Sequence, residues 1–533
     1  MSSDGKGNGP SKSLAAALTS RGGGVGSIWV GVRFGRARCS AGLTDAPHRA
    51  VGSVGAAARD GADGAEGGFE AIAAGGGAGM ALAEWVHAGE PPYDLWSADI
   101  RRFGHPHFDT DWVRTRTVEA YGKHYTMDWP HEENQSGRPC RKSPLYEMLK
   151  DQGACFGEKL GWERPNWFAD AVYGETPQDV YSFGRQNWFN AVGREHKAVR
   201  EAAVLFDQSS FAKFSLKGPD AEKALSWIAA NNVAKPVGSL IYTQMLNDRG
   251  GIECDLTVAR LANDEYYVVT GTGFATHDFD WISRNIPAGL NCQLFDITSS
   301  NAVLSLMGPK ARDILQQVTS DDVSNTSFKF GTVRTIDIAG CPVQALRITY
   351  VGELGWELHL PVEYASAVYQ AVMKAGGHYG LINAGYRTIE SCRLEMGYRA
   401  WGSDLGADHT PYEAGLGWAV KLKTDQAFKG RAAMETQKQD GVKKMLAGFT
   451  VDDPSVVLLG RETIYRNGIR VGWLSSGGFG YTVKQSIGYG YIRNLEGVDK
   501  NYIEAGDYEL EVATVRMPCK VHLKSLLKTS IRD

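Results

Sequence analysis

Apolar and polar residues follow a clear pattern between positions 242 and 258, which read YTQMLNDRGGIECDLTV. The lead-in predicts a strand, Asn247-Asp248-Arg249-Gly250-Gly251 a turn, and residues 252–260 a returning strand, which together make a β-hairpin. Asp255 falls inside the returning strand, between Cys254 and Leu256. Strand interiors are depleted in Asp, and a carboxylate is costly to bury without a partner. The residue is therefore either on the solvated face of an edge strand or aimed into a ligand cavity. Upstream, Gly75, Gly76, Gly77 and Gly79 stand at the mouth of a helix predicted over 80–87. A Gly-rich turn feeding a helix suits close approach to a phosphate or flavin. Helical patches follow over 111–123 and 143–152, and the aromatic run GWERPNWF at 161–168 reads as a domain junction. Residues 185–425 mix helix (220–230) and strand (265–271, 343–350) without a βαβ rhythm, the mark of an α+β domain. Residues 445–530 read as short strands with turns at 466–468, 477–478 and 496–497, a small all-β domain.

Composition adjusts this picture at one end. The 533 residues, 43% apolar and 22% charged, fit a chain of two to four domains. A net charge of −4 gives no whole-chain field for nucleic acid or anionic membrane, so neither is expected as a partner. The eight cysteines show no CxxC pair, which argues against a disulfide scaffold or a zinc site. No run of about 18 apolar residues predicts a transmembrane helix. Residues 1–68 are crowded with Gly, Ala and Ser, and disorder is expected there. Lys12, Arg21, Arg33, Arg36 and Arg38, with no acid between positions 11 and 38, fit an organelle transit peptide. The expected compartment is the mitochondrial matrix, or otherwise the cytoplasm. Gly22-Gly23-Gly24-Val25-Gly26 does not make a dinucleotide fingerprint. No apolar strand precedes it, and Ser27 stands where the third glycine belongs.

Further segments join the hairpin: SLMGPKARDIL at 305–315, ITYVGELGWELHLP at 348–361, NAGYRTIESCRLEMGYRAWGSDLGADHTPYEAGLGWAVKL at 383–422, and LSSGGFGYTVKQSIGYGYI at 474–492. In this order they resemble the folate-binding aminomethyltransferase family, the T-protein of the glycine cleavage system. The upstream segments GGGAGMALAEWV, RRFGHPHFD and GRPCRKSPLYEMLKDQGACFGEKLGWERPNWF resemble sarcosine and dimethylglycine dehydrogenases and the pyruvate dehydrogenase phosphatase regulatory subunit. The resemblance implies a low-complexity stretch (1–68), the end of a flavin domain whose remainder is absent (69–104), a connecting domain (105–168), a T-protein-like folate-binding domain (185–425) and a β-barrel (440–530).

That resemblance also assigns roles. Asp255 corresponds to the family's essential aspartate, which would stabilise positive charge on a one-carbon adduct. Tyr242, Tyr350, Glu357 and Arg393 would line the pterin slot, with Trp401 standing where the family often has Tyr. Glu353 is expected in solvent. Asp404 and His409 are assigned no metal. Tetrahydrofolate is the implied cofactor, FAD is not expected on this chain, and the partners would be folate, a methylamine-derived one-carbon unit, and a flavin domain or a second copy. The implied function is the folate-dependent one-carbon transfer module of a sarcosine/dimethylglycine dehydrogenase-like protein. The alternatives are a non-catalytic regulatory protein or a truncated flavin dehydrogenase.

Overall fold

The computed structural model describes residues 75–528, apart from 105 and 125, together with residue 531. The expected low-complexity and targeting region, 1–68, lies outside the described residues.

The architecture is α+β followed by a barrel. A five-stranded sheet runs in the order Leu240–Leu246, Ile252–Ala262, Glu265–Thr270, Ala212–Lys217, Gln293–Asp296. A six-stranded sheet runs Val333–Ile338, Cys341–Leu346, Gly355–Pro361, Asn301–Met307, Ala203–Asp207, Leu381–Asn383. Each sheet carries helices on one face. Ala224, Leu225 and Ile228 of one helix and Trp281 and Ile282 of another pack on Leu256 and Val258 of the first sheet. Ile314, Leu315, Val368 and Val372 cover Leu304, Trp356 and Leu358 of the second. The other faces meet through Ala259, Tyr267 and Val269 on one side and Val333 and Leu346 on the other. Six antiparallel strands between Val442 and His522 close the C-terminal barrel.

The hairpin forms as its pattern predicts, from Leu240–Leu246 and Ile252–Ala262 with Gln244 opposite Asp255. Cys254, Leu256 and Val258 enter the core, which leaves Glu253, Asp255 and Thr257 on the other face. A one-residue slip would exchange the two sets, and at about 1.5–3 kcal/mol per buried Leu or Val the observed register is strongly preferred. At the turn, Asn247 Oδ1 accepts from the backbone N–H of Arg249 (3.1 Å) and of Gly251 (2.9 Å). A Cβ on Gly251 would stand 1.7 Å from the Ala407 carbonyl, so the following loop lies against a bare backbone.

Several expectations need correction. Gly75–Gly79 do not open the first helix but lie within it, since it spans Gly75–Ala88. The strand expected over 343–350 is Cys341–Leu346, and residues 347–350 leave the ladder. Glycines 477, 478 and 497, read as turns, sit inside strands Ile469–Gly480 and Gln485–Val498. Gly477 is needed for packing, because a Cβ there would lie 2.7 Å from the backbone of Leu458. Residues 162–168 form one strand of a ribbon with Ala154–Lys159, with Trp167 fully buried.

That ribbon is fastened by Glu195, buried in the helix Phe189–Glu201. Its carboxylate accepts from the backbone N–H of Phe168 (2.7 Å) and of Gly385 (2.9 Å) and from the Thr388 hydroxyl (2.6 Å). Burial pushes this carboxyl up to about 7. Removing it strands two buried N–H groups, so Glu195→Ala should cost about 3 kcal/mol. Thermal melts at pH 6 would check this, and an unchanged Tm would contradict it.

Candidate functional site

The face of the hairpin turned away from its core carries Tyr242, Gln244 and Asp255. Gln244 is fully buried, and its Nε2 donates to Asp255 Oδ1 at 2.8 Å. Its Oε1 is buried with no hydrogen-bond partner among the described residues. An unmet acceptor next to a carboxylate suits a ligand that brings N–H donors. Burial raises the Asp255 carboxyl to about 6; the Gln244 and Tyr242 side chains pull it back, and the nearby Asp278 adds to the rise. The group thus ionises close to neutrality while remaining an acceptor in a low-dielectric setting.

Aromatic rings frame this carboxylate. Tyr242 stacks with Trp418, centroids 5.8 Å apart and planes 29° apart. Trp418 is 69% exposed, an unusual placement for an indole and one that leaves a flat apolar surface open beside Tyr242. Burial, then the Asp255 charge, drives the Tyr242 hydroxyl well above its ordinary range, so the phenol stays protonated. Tyr350 donates its hydroxyl to the Arg399 carbonyl (2.8 Å) and stacks on Tyr398 at 5.8 Å. Its departure from the sheet ladder puts its ring here. The Arg399 guanidinium, held by the carbonyls of Ala414 (2.9 Å) and Gly397 (2.6 Å), supplies positive potential to both Asp255 and Tyr242.

The structure therefore gathers Asp255, Tyr242 and Tyr350 within electrostatic reach of one another. Glu357 stands on the facing six-stranded sheet, paired with Leu346 and opposite Ser305, on the face that meets the five-stranded sheet; His359 Nε2 lies 3.4 Å from its Oε2, and His359 in turn meets the Tyr267 hydroxyl (2.9 Å). Arg393 is almost wholly buried and committed to protein partners. Its Nη1 donates to Asp404 Oδ2 (2.7 Å) and the Tyr398 carbonyl (3.2 Å), and its Nη2 pairs with Glu390. Of its nitrogens, only Nε lacks a partner among the described residues. Trp401 donates Nε1–H to the Ile252 carbonyl (3.1 Å), and its ring lies against Phe274 (4.7 Å) and His277 (5.4 Å). Glu353 is not in solvent but pairs with Arg200 at 2.9 Å.

Sequence reasoning missed Gln244, His277, Asp278, Arg399 and Trp418. His277 sits between Asp278 (2.8 Å from Nδ1) and Glu253 (3.4 Å from Nε2). Burial opposes its protonation, but bonds to these carboxylates outweigh burial and raise it to about 9. Asp278 also accepts from the Thr270 hydroxyl at 2.6 Å. The adjacent His277-Asp278 pair on a helix gave a weak local signal; the contacts that give it meaning come from a strand more than twenty residues earlier.

Comparison with known proteins covers all three regions. Residues 145–424 match the GCVT N-terminal domain, residues 444–528 the glycine cleavage T-protein C-terminal barrel domain, and residues 88–143 the FAD dependent oxidoreductase central domain. The mitochondrial sarcosine dehydrogenase of Mus musculus is 42% identical over 490 residues, a match that takes in 85% of this chain and 53% of that protein. The chain thus spans about half the length of this relative. The aminomethyltransferase of Halothermothrix orenii is 35% identical, over 66% of this chain and 92% of that protein. Among solved structures, the glycine cleavage system aminomethyltransferase T from Bartonella henselae superposes with a TM-score of 0.62 at 26% identity, covering 73% of this chain and 98% of that one.

Proposed function

Because the chain belongs to the glycine cleavage T-protein family, we propose that it is a tetrahydrofolate-binding module that moves a one-carbon unit, released from an N-methyl amine, onto folate to give 5,10-methylenetetrahydrofolate. One observation carries the reading: the face of the hairpin presents an ionisable carboxylate, Asp255, next to the unmet acceptor of Gln244 and on the same strand face as Tyr242, whose ring stacks on the exposed Trp418. A pterin is flat, polar at its edge and rich in N–H donors, the shape and chemistry such a slot takes.

When bound there, the folate would supply the nucleophilic nitrogen for the transfer. The chain's own residues do the rest. Asp255 holds negative charge where the one-carbon unit carries its positive charge, and accepts a donor N–H. Gln244 fixes its orientation, the protonated Tyr242 and the Trp418 ring flank the slot, and Arg399 limits the rise of the Asp255 pKa. Glu357 and the Arg393 Nε are proposed as more distant contacts. The amine oxidation that generates the unit is assigned to a flavin-bearing partner. The mitochondrial matrix is the proposed compartment, in line with the mitochondrial location in the sarcosine dehydrogenase's name.

Titration with tetrahydrofolate, followed by quenching of indole fluorescence, tests the reading. Saturable binding is expected. Because the ligand's N–H groups meet the ionised carboxylate, affinity should rise from pH 5 to pH 7 with a midpoint near 6. Gln244→Met, which removes a bond that lowers this pKa, should move the midpoint upward. Absence of binding would favour a non-catalytic role for the same fold.

A further inference from the structure

An arginine without a counter-charge lies at the end of a strand of the six-stranded sheet. Arg347 follows the strand Cys341–Leu346 and is 1% exposed. Its Nη1 donates to the Phe328 carbonyl. Its Nε and Nη2 have no hydrogen-bond partner, and no carboxylate pairs with it, among the described residues. These two nitrogens form one edge of the guanidinium, the edge that grips two oxygens of an anion at once. The Cζ lies 5.6 Å from the centre of the fully buried Trp356 ring, whose own Nε1–H is unmet as well.

A second cation shares that ring. Arg312 has its Cζ 5.9 Å from the same centre and donates to the Val323 carbonyl (3.3 Å) and to Asn325 Oδ1 (2.5 Å). Burial, then the Arg312 charge, pushes Arg347 below its ordinary range. A guanidinium still keeps its proton in a protein, so the charge stays. The acids of the adjoining loop are turned to other partners. Asp322 accepts from the Ser324 N–H (2.9 Å) and the Ser327 hydroxyl, and Asp321 from the Asp337 N–H (3.0 Å). The face of an indole offsets part of a cation's desolvation but accepts none of its in-plane N–H bonds. Water would accept those bonds and leave the charge uncompensated, whereas an oxyanion does both.

We propose that Arg347, with Arg312 beside it, holds a small oxyanion of the phosphate type on its Nε–Nη2 edge. The ion ties the loop that carries Val323, Asn325 and Phe328 to the helix Ala311–Val318 and to the end of the strand Cys341–Leu346. The site is separate from the Asp255 slot on the five-stranded sheet and stands whether or not that slot takes folate.

Isothermal titration of the dialysed full chain with inorganic phosphate, at an ionic strength held constant with chloride, tests it. Saturable binding at one site is expected. Phosphate that survives dialysis would instead be released on acid denaturation, at about one ion per chain, and would count equally in favour. Arg347→Lys keeps the charge but not the fork, and should weaken phosphate about tenfold or more. Arg312→Gln, on a half-buried side chain, should weaken it about threefold. The Tm of the parent should rise saturably with phosphate, by about 2 °C or more. Arg347→Met separates the alternatives. With the ion in place it should abolish that rise and lower the Tm in phosphate; with none, it removes an uncompensated buried charge and should raise the Tm. Neither bound nor titratable phosphate, affinity unchanged in Arg347→Lys, or a higher Tm for Arg347→Met in phosphate would each overturn the proposal. None of these results depends on tetrahydrofolate binding, which the fluorescence titration measures by itself.

Discussion

Asp255→Asn is expected to slow one-carbon transfer to tetrahydrofolate by about 100- to 1,000-fold, the range seen when one preorganised electrostatic group is removed from a reaction centre. Asparagine keeps the shape of the side chain and an oxygen for Gln244 Nε2, so the slot should survive and only the charge is lost. Loss of a hydrogen bond to a charged acceptor also predicts weaker folate binding, by about 1.5–3 kcal/mol. Transfer can be followed with formaldehyde and glycine as the source of the one-carbon iminium, as the rate above the uncatalysed condensation. A variant within threefold of the parent would remove Asp255 from the chemistry.

The same substitution has a signature in stability, and its sign is fixed by the direction of the shift. The folded carboxyl titrates near 6, above the ordinary carboxylate value of about 4. The folded state therefore binds the proton more tightly than the unfolded state. The stability this contributes is complete below about pH 4 and is lost as pH rises through about 6. The substituted amide has no such proton to lose. The variant's Tm should fall less than the parent's between pH 4 and 7, and should exceed it at pH 8. Lower activity together with higher stability at pH 8 would separate a functional carboxylate from a structural one.

How far the site could be read in advance follows from what local pattern encodes. The hairpin is legible because alternation, an Asn-Asp-Arg-Gly-Gly turn and an out-of-place Asp all fall within one stretch of sequence. Tyr242 and Asp255 share the face turned away from the core because the register forces them there. Gln244 belongs to the same face and escapes notice, since a glutamine in a strand carries no sign of an unmet acceptor until its surroundings are known. Tyr350 is legible as a residue but not as part of its element: the strand ends at Leu346, and beyond it the Tyr350 hydroxyl binds the Arg399 carbonyl 49 positions on. The barrel glycines mislead for a related reason. Gly477 reads as a turn locally, whereas its lack of a side chain serves contact with Leu458, which no local rule anticipates.

Arg393 is where the two readings differ most, and it carries the second large effect. The motif suggests a ligand contact, while the geometry shows a clamp between the helix Tyr386–Met396 and the barrel. Arg393 binds Asp404, and Asp404 accepts from the Ser475 (2.5 Å) and Ser476 (2.8 Å) hydroxyls of the barrel strand Ile469–Gly480. Both charged side chains are 1% exposed, so removing Arg393 leaves Asp404 buried with its counter-charge gone, whereas Arg393 without Asp404 would keep Glu390. Arg393→Met should therefore cost about 3–5 kcal/mol. Asp404→Asn keeps an acceptor for the serines and the guanidinium but strips the charge, so it should cost less. Because the two share one interaction, the double variant should be destabilised by less than the sum of the singles. Melting temperatures measured beside tetrahydrofolate affinity decide the role. A clamp predicts a large loss of Tm and, in the molecules still folded, a modest loss of affinity. A large loss of affinity at unchanged Tm would return Arg393 to the ligand site, with its Nε as the contact.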